Sequence, residues 1–180
     1  MAREMHNTIA RSAAAKASFK AFYDAESILE IVETFDLFAG ECTQIGHRDG
    51  EPLWKALPLT QMHMATSLYD VIRKKVELGE DYRSHCCRGM HVVIVGGGPG
   101  GLCTAIEAAL LGADVMLVEK RAHVSRNNVL KLWPSTVEYF LSLGLKSFHR
   151  QFGNTGSDKI AIRRLQIVLM KVALLCGVRL

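Results

Sequence analysis

Three glycines, Gly96, Gly98 and Gly101, stand inside IVGGGPGGL with the spacing GxGxxG. The run before them, His91 to Val95 (HVVIV), reads as a short buried strand, and Pro99 to Leu111 reads as a helix ended by Gly112. A strand that turns directly into a helix aims unpaired N–H groups and a partial positive charge at one point, which suits a phosphate. Gly96 makes the tight turn, Gly98 lets the backbone approach a pyrophosphate, and Gly101 lets helix and strand pack closely. Glu119 closes the next apolar run, DVMLVE, 18 residues after Gly101, where a carboxylate accepts hydrogen bonds from ribose hydroxyls. Glycine-rich turns are common, and a purely structural turn is the competing reading. The flanking strand, helix, second strand and acid favour dinucleotide binding. A ribose 2′-phosphate would meet the charge of Glu119, offset only in part by Lys120 and Arg121, so NADP is disfavoured in this pocket and NAD and FAD remain. Just downstream, Arg121 and Arg126 can face the two pyrophosphate charges, and Asn127 and Asn128 supply amide donors.

The elements that must position these groups alternate strand and helix from Met90 onward, the signature of a parallel sheet. After the strand Asp114 to Glu119, a helix is expected from Ser135 to Leu143, stopped by Gly144. Lys159 to Ile162 reads as extended, Arg163 to Leu175 as helix, Gly177 as its cap, and Val178 as the start of another strand. A strand begun there would leave an open sheet edge, so the expectation is a dinucleotide fold represented by its front part only.

The first half reads differently. Phe19, Phe22, Tyr23, Ile28, Ile31, Val32, Phe35 and Phe38 recur at helical spacing, as packing residues, and Ser27 with Glu30 has the form of a capping box. Gly40 is expected to end that pattern before a loop from Thr43 to Pro52. A second helical block spans Ala65 to Leu78, with Gly79 as its stop. The polar link from Glu80 to Arg88 then places a boundary near residue 88: a helical N-terminal segment over 1–88 and a Rossmann-like α/β fold over 89–180.

Composition narrows the classes. With 49% hydrophobic and 22% charged residues, the chain belongs with soluble globular proteins rather than disordered ones. It holds no run of about eighteen apolar residues and no apolar core of a secretory signal, so no membrane association is expected. The opening MAREMHNTIARSAAAKASFK carries four basic residues against Glu4, as a transit peptide would, but a solvated first helix is the favoured reading. Five cysteines with no CxxC pair argue against a disulfide framework and a zinc site, and fit a reducing, cytoplasmic setting. The scattered histidines give no metal-site spacing. Residues 1–120 hold 12 Lys and Arg against 16 Asp and Glu, whereas residues 121–180 hold 10 against 2. An anionic ligand or partner for the second part follows, a solvated basic face being the alternative; no aromatic interleaving points to nucleic acid.

Two stretches carry a resemblance. Pro99 in GGGPGGL is how the corresponding turn of many flavoproteins reads, which favours FAD. The segment EKRAHVSRNNVLKLWP, Glu119 to Pro134, is similar to the loop after the second strand in the flavin monooxygenase domain of the MICAL proteins, where the family reads EKR and then SRNNVLHLWP. The likeness continues through AIEAALLGADV, LGLKSF and IRRLQIVLMKVALLCGV, and more faintly through FYDAESILEIVETF and SLYDVIRKK. By this resemblance the family's FAD contacts fall on Gly100, on Glu119, Lys120 and Arg121, and on Arg126, Asn127 and Asn128. Two positions depart from the family: Gly100 stands where cysteine is usual, tolerable for a backbone contact, and Lys131 stands where histidine is usual.

The resemblance implies an enzyme that reduces FAD with NADPH and transfers one oxygen atom of O₂ to a methionine thioether of F-actin, in the cytoplasm and at the cytoskeleton. The hard step belongs to the cofactor, so no protein nucleophile or acid–base dyad is required, and none is visible. Two other readings compete: a flavin hydroxylase of small aromatic molecules, and a non-catalytic FAD- or ADP-binding fragment. The chain alone is expected to be inactive, since no segment for the isoalloxazine or for substrate is recognisable.

Overall fold

The computed structural model describes residues 2–48, 50–124, 128–154 and 158–180, with side chains from Arg11 onward. Two long helices open the chain, α1 (Ala2–Asp24) and α2 (Ile28–Gln44). Ser27 caps α2 with the expected box: its Oγ accepts from the Glu30 N–H, and the Glu30 carboxylate accepts from the Ser27 N–H. The two helices close on each other through Phe19, Phe22 and Phe38, all buried, with the Phe19 and Phe38 rings 5.2 Å apart.

Gly40 does not end this element. The helix runs on to Gln44 because Cys42, four residues past Phe38, is buried on the same face, and that burial outweighs the roughly 1 kcal/mol by which glycine disfavours a helix. A 3-10 helix, Leu53–Thr60, then buries Leu53, Trp54, Ala56 and Leu57. It has no counterpart in the helical blocks expected from the sequence. Next come α3 (His63–Leu78) and, inside the expected polar link, the short α4 (Glu80–Ser84).

The parallel sheet follows. Strand β1 (His91–Val95) leads through α5 (Pro99–Leu110) to β2 (Asp114–Val118), and β2 pairs parallel to β1 from His91 opposite Asp114 to Val95 opposite Val118. Arg179 pairs with the other edge of β2, its N–H donating to Val115 O at 2.9 Å while Leu117 N–H donates to Arg179 O at 2.8 Å. One face of this sheet buries Val115 and Leu117, with α5 against both strands; the other exposes Val93, Val95, Met116 and Val118.

Part of the segment read as irregular, Glu119 to Pro134, is a strand. Here β3 (Val129–Lys131) pairs antiparallel with β4 (Lys159–Ala161), a contact across some thirty residues that leaves no local periodicity. Between them lie α6 (Pro134–Ser142) and α7 (Leu145–Phe148), and α8 (Ile162–Leu175) completes the chain's helices.

The buried face of α8 packs on α5, α2 and α7, in one continuous core shared with the first helices. Lys171 lies in that core, 1% exposed, its ammonium donating to Tyr23 O at 2.6 Å among the rings of Phe22, Tyr23 and Phe148. Burial, with the Arg164 charge, pushes its pKa down from 10.5 to about 8. A lysine depressed in the folded state has lost its proton between those two values while the unfolded chain still holds it, so stability rises with pH across that window. Denaturant midpoints of the protein and of Lys171→Met, measured from pH 7 to pH 10, should therefore shift in favour of the parent by on the order of 1–3 kcal/mol. A constant difference between the two would show that Lys171 stays charged.

Candidate functional site

The turn between β1 and α5 is built as the glycine spacing requires. Gly96 has φ +108°, open to glycine at little cost, and its N–H donates to Val118 O at 2.8 Å, tying the turn to the end of β2. A Cβ on Gly101 would lie 2.1 Å from Gly96 O, so the helix can sit this close to the strand only without a side chain there. Around Gly98 and Gly100 an added Cβ would meet nothing within 4 Å. The helix thus opens onto free space at these two positions. Its ladder starts with Leu102 N–H donating to Gly98 O at 2.9 Å, which leaves the Gly100 and Gly101 amides without an acceptor inside the helix.

Glu119 reaches back to this turn. Its Oε2 accepts from the Gly97 N–H at 2.8 Å and its Oε1 from the Arg121 N–H at 3.0 Å. These backbone donors, Arg121 first, outweigh partial burial and hold the carboxyl below its ordinary range, so it is ionised at neutral pH. From the opposite side Gln166 on α8 donates its side-chain amide to Gly97 O at 2.9 Å. Gly97 is therefore held through both of its flanking peptides, its N–H by the acid and its carbonyl by the amide.

A cavity of about 260 Å³ lies against the turn, bounded by Gly96, Gly98, Glu119, Arg121, Gln166 and Met170 among others. Of the residues expected at the site, Gly96, Gly98, Glu119 and Arg121 line it directly, and Gly100 and Gly101 form the first turn of α5 beside it. Lys120 is exposed and does not line the cavity. Asn128 is exposed at the head of β3, where its carbonyl accepts from the Ile162 N–H at 2.8 Å. Arg126 and Asn127 lie outside the described residues.

Gln166 escaped the sequence reading. The one signal for it is a lone amide inside the apolar run LQIVLM of an otherwise buried helix, where a polar group needs a partner. Ile28, Ile162 and Met170 also line the cavity; in sequence Ile28 reads as a packing residue, Ile162 as the end of an extended stretch and Met170 as part of a helix.

These features fit the adenosine and pyrophosphate portion of a dinucleotide: an open helix N-terminus, a turn that only glycine can make, and an ionised acid at the end of the second strand. Comparison with known proteins agrees. Residues 89–164 match the family model described as FAD binding domain. The chain is 38% identical over 92% of its length to the [F-actin]-monooxygenase MICAL1 of Bos taurus, of which it spans 16%. It is 42% identical over 81% of its length to the protein-methionine sulfoxide oxidase mical3b of Danio rerio, spanning 9% of that protein. Against the [F-actin]-monooxygenase MICAL2 of Mus musculus it is 48% identical over 63% of its length, spanning 6%. Fold, turn and matched segment together define an FAD-binding domain of the α/β type. More narrowly, the chain belongs to the MICAL family of flavin-dependent monooxygenases. It spans about a sixth or less of the length of these relatives.

Proposed function

We propose that this chain supplies the adenosine- and pyrophosphate-binding part of an NADPH-dependent FAD monooxygenase whose substrate is a methionine thioether of F-actin. The observation that carries the reading is the combination of the Gly96–Gly101 turn with 38% identity to an F-actin monooxygenase over 92% of the chain. In this reading the Gly98, Gly100 and Gly101 backbone approaches the pyrophosphate, Gly96 sets the turn, and the Glu119 carboxylate accepts from the ribose hydroxyls. Arg121 lines the cavity that would take the phosphates, and the family resemblance adds Lys120, Arg126, Asn127 and Asn128 as further FAD contacts. Bound FAD supplies the electron transfer from NADPH and the activation of O₂. The residues of this chain bind and orient its ADP half.

In cells the protein is expected in the cytoplasm, in contact with actin filaments. Among the described residues no helix is long and apolar enough to cross a membrane.

The test is direct. The full-length protein, loaded with FAD and given NADPH and O₂, should convert filament methionines to sulfoxides, read by mass spectrometry of actin peptides. Flavin uptake with NADPH oxidation, but oxidation of small aromatic acids instead of actin, would replace the substrate. Failure to take up FAD would overturn the assignment of the site itself.

A further inference from the structure

Cys86 and Cys87 lie well away from the phosphate turn, in the tight turn that joins α4 to β1. His85 adopts a left-handed conformation, φ +48°, and Gly89 closes the turn with φ +80°. Consecutive side chains point to opposite faces of a strand and diverge around a helix. Here the two sulfurs nevertheless lie only 3.9 Å apart. Cys86 is exposed and Cys87 half-buried, whereas Cys42 and Cys176 are buried in the core.

The pair also sits at a joint. The Cys87 N–H donates to Leu111 O at 3.0 Å, the Met90 N–H donates to Cys87 O at 3.0 Å, and His85 packs against Gly112. This short segment thereby fastens the first helices to the α5–β2 connection. A cavity of about 840 Å³ opens beside it, with His85, Arg88 and Gly112 on its wall.

We propose that Cys86 and Cys87 are a peroxide-responsive modification site that closes reversibly to a disulfide between adjacent residues. The oxidant is a hydroperoxide. One cysteine sulfur attacks the O–O bond of hydrogen peroxide and keeps one oxygen as a sulfenic acid, and the first water leaves. The second thiol attacks that sulfur, the S–S bond forms, and the second water leaves. Two thiols have then lost two electrons and two protons, and one peroxide has become two waters. Loss of hydration, the adjacent Cys87 thiol and the Asp81 charge hold Cys86 above the ordinary thiol range, so the first attack is slow at neutral pH. Ring closure then needs no distant group to arrive, only a rotation within the turn that already holds the two sulfurs 3.9 Å apart.

Closure has a mechanical consequence. The separation must fall from 3.9 Å to about 2 Å, and the turn that carries Cys87 must rotate to allow it. The Cys87 N–H then leaves Leu111 O, and the joint loosens on the side of the larger cavity.

Full-length protein treated with hydrogen peroxide, then alkylated, digested and analysed by mass spectrometry, tests this. The peptide holding both residues should appear two hydrogens lighter, unalkylated until a reductant is added. Hydrogen exchange at the Cys87 amide should rise about tenfold in the oxidised form and return on reduction. In Cys87→Ser the product at Cys86 should be a sulfenic acid that reacts with dimedone instead of a ring. Alkylation of both thiols after peroxide treatment, pairing of either with Cys103, or direct passage to sulfinic acid would overturn the site. An oxidised pair with unchanged exchange at Cys87 would overturn the loosening of the joint.

Discussion

Gly101→Ala should cost about 3 kcal/mol or more of folding stability and abolish flavin retention, the largest effect expected of any conservative change in this chain. The added methyl would lie 2.1 Å from the carbonyl oxygen of Gly96 and 3.4 Å from Ile94 Cγ2. The first of these is backbone, in the peptide whose Gly97 N–H donates to Glu119 Oε2, and cannot rotate away as a long side chain would. Relief requires the start of α5 to lift off β1, which also moves the amides that face the cavity. Gly98→Ala makes the instructive contrast. Its φ of −71° suits any residue and the space around it is open, so the fold should lose about 1 kcal/mol or less while flavin binding falls, since the methyl occupies the path of the pyrophosphate. Gly100→Ala, also open, should be nearly silent for both if only its backbone meets the ligand. Denaturant midpoints and flavin content after gel filtration separate the three. A Gly101→Ala protein with the parent's midpoint would show that helix and strand are further apart than described, and full flavin retention in Gly98→Ala would move the ligand off this turn.

The same contrast explains what could be read in the sequence. The glycine turn was legible because each position answers to a local constraint: a positive φ at Gly96, a forbidden Cβ at Gly101, open space at Gly98. The capping box at Ser27 and the helix stops at Gly112 and Gly144, both at positive φ, were legible for the same reason. What failed depends on distant partners. The helix passes through Gly40 because Cys42 finds a buried seat, and β3 exists because β4 returns to pair with it. Neither fact leaves a mark on neighbouring residues. Gln166 belongs to this second kind: its amide matters only because α8 lies across the turn and brings it to Gly97 O. Glu119 is expected from the sequence as a ribose ligand; what the structure shows is its carboxylate accepting from the Gly97 N–H and holding the turn.

Holding the turn makes Glu119→Ala a two-part experiment. Removing the carboxylate frees the Gly97 and Arg121 amides, which it receives at 2.8 and 3.0 Å, and should destabilise the protein by roughly 1–3 kcal/mol even without ligand, the range for a hydrogen bond to a charged group. Flavin affinity should fall further, by about 1–3 kcal/mol, because the ribose hydroxyls also lose their acceptor. Glu119→Gln separates the parts: an amide oxygen can still accept from one backbone N–H, so the fold should recover more than the affinity does. The acid also predicts a pH response. Its carboxyl is held below the ordinary glutamate range in the folded state by the backbone donors at Arg121 and Gly97, so its contribution is complete above the unfolded value of 4.5. As pH falls below that, the unfolded chain takes up the proton first, and the contribution fades as the folded carboxyl is protonated in turn. The stability difference between the parent and Glu119→Ala should therefore be constant from pH 8 to pH 5 and shrink below about pH 4.5. Denaturant titrations of both proteins across that range, with flavin release followed by fluorescence, supply the measurement. A difference that stays constant through the acid range, or an alanine variant as stable as the parent at pH 7, would mean that Glu119 does not hold the turn and acts on the ribose alone.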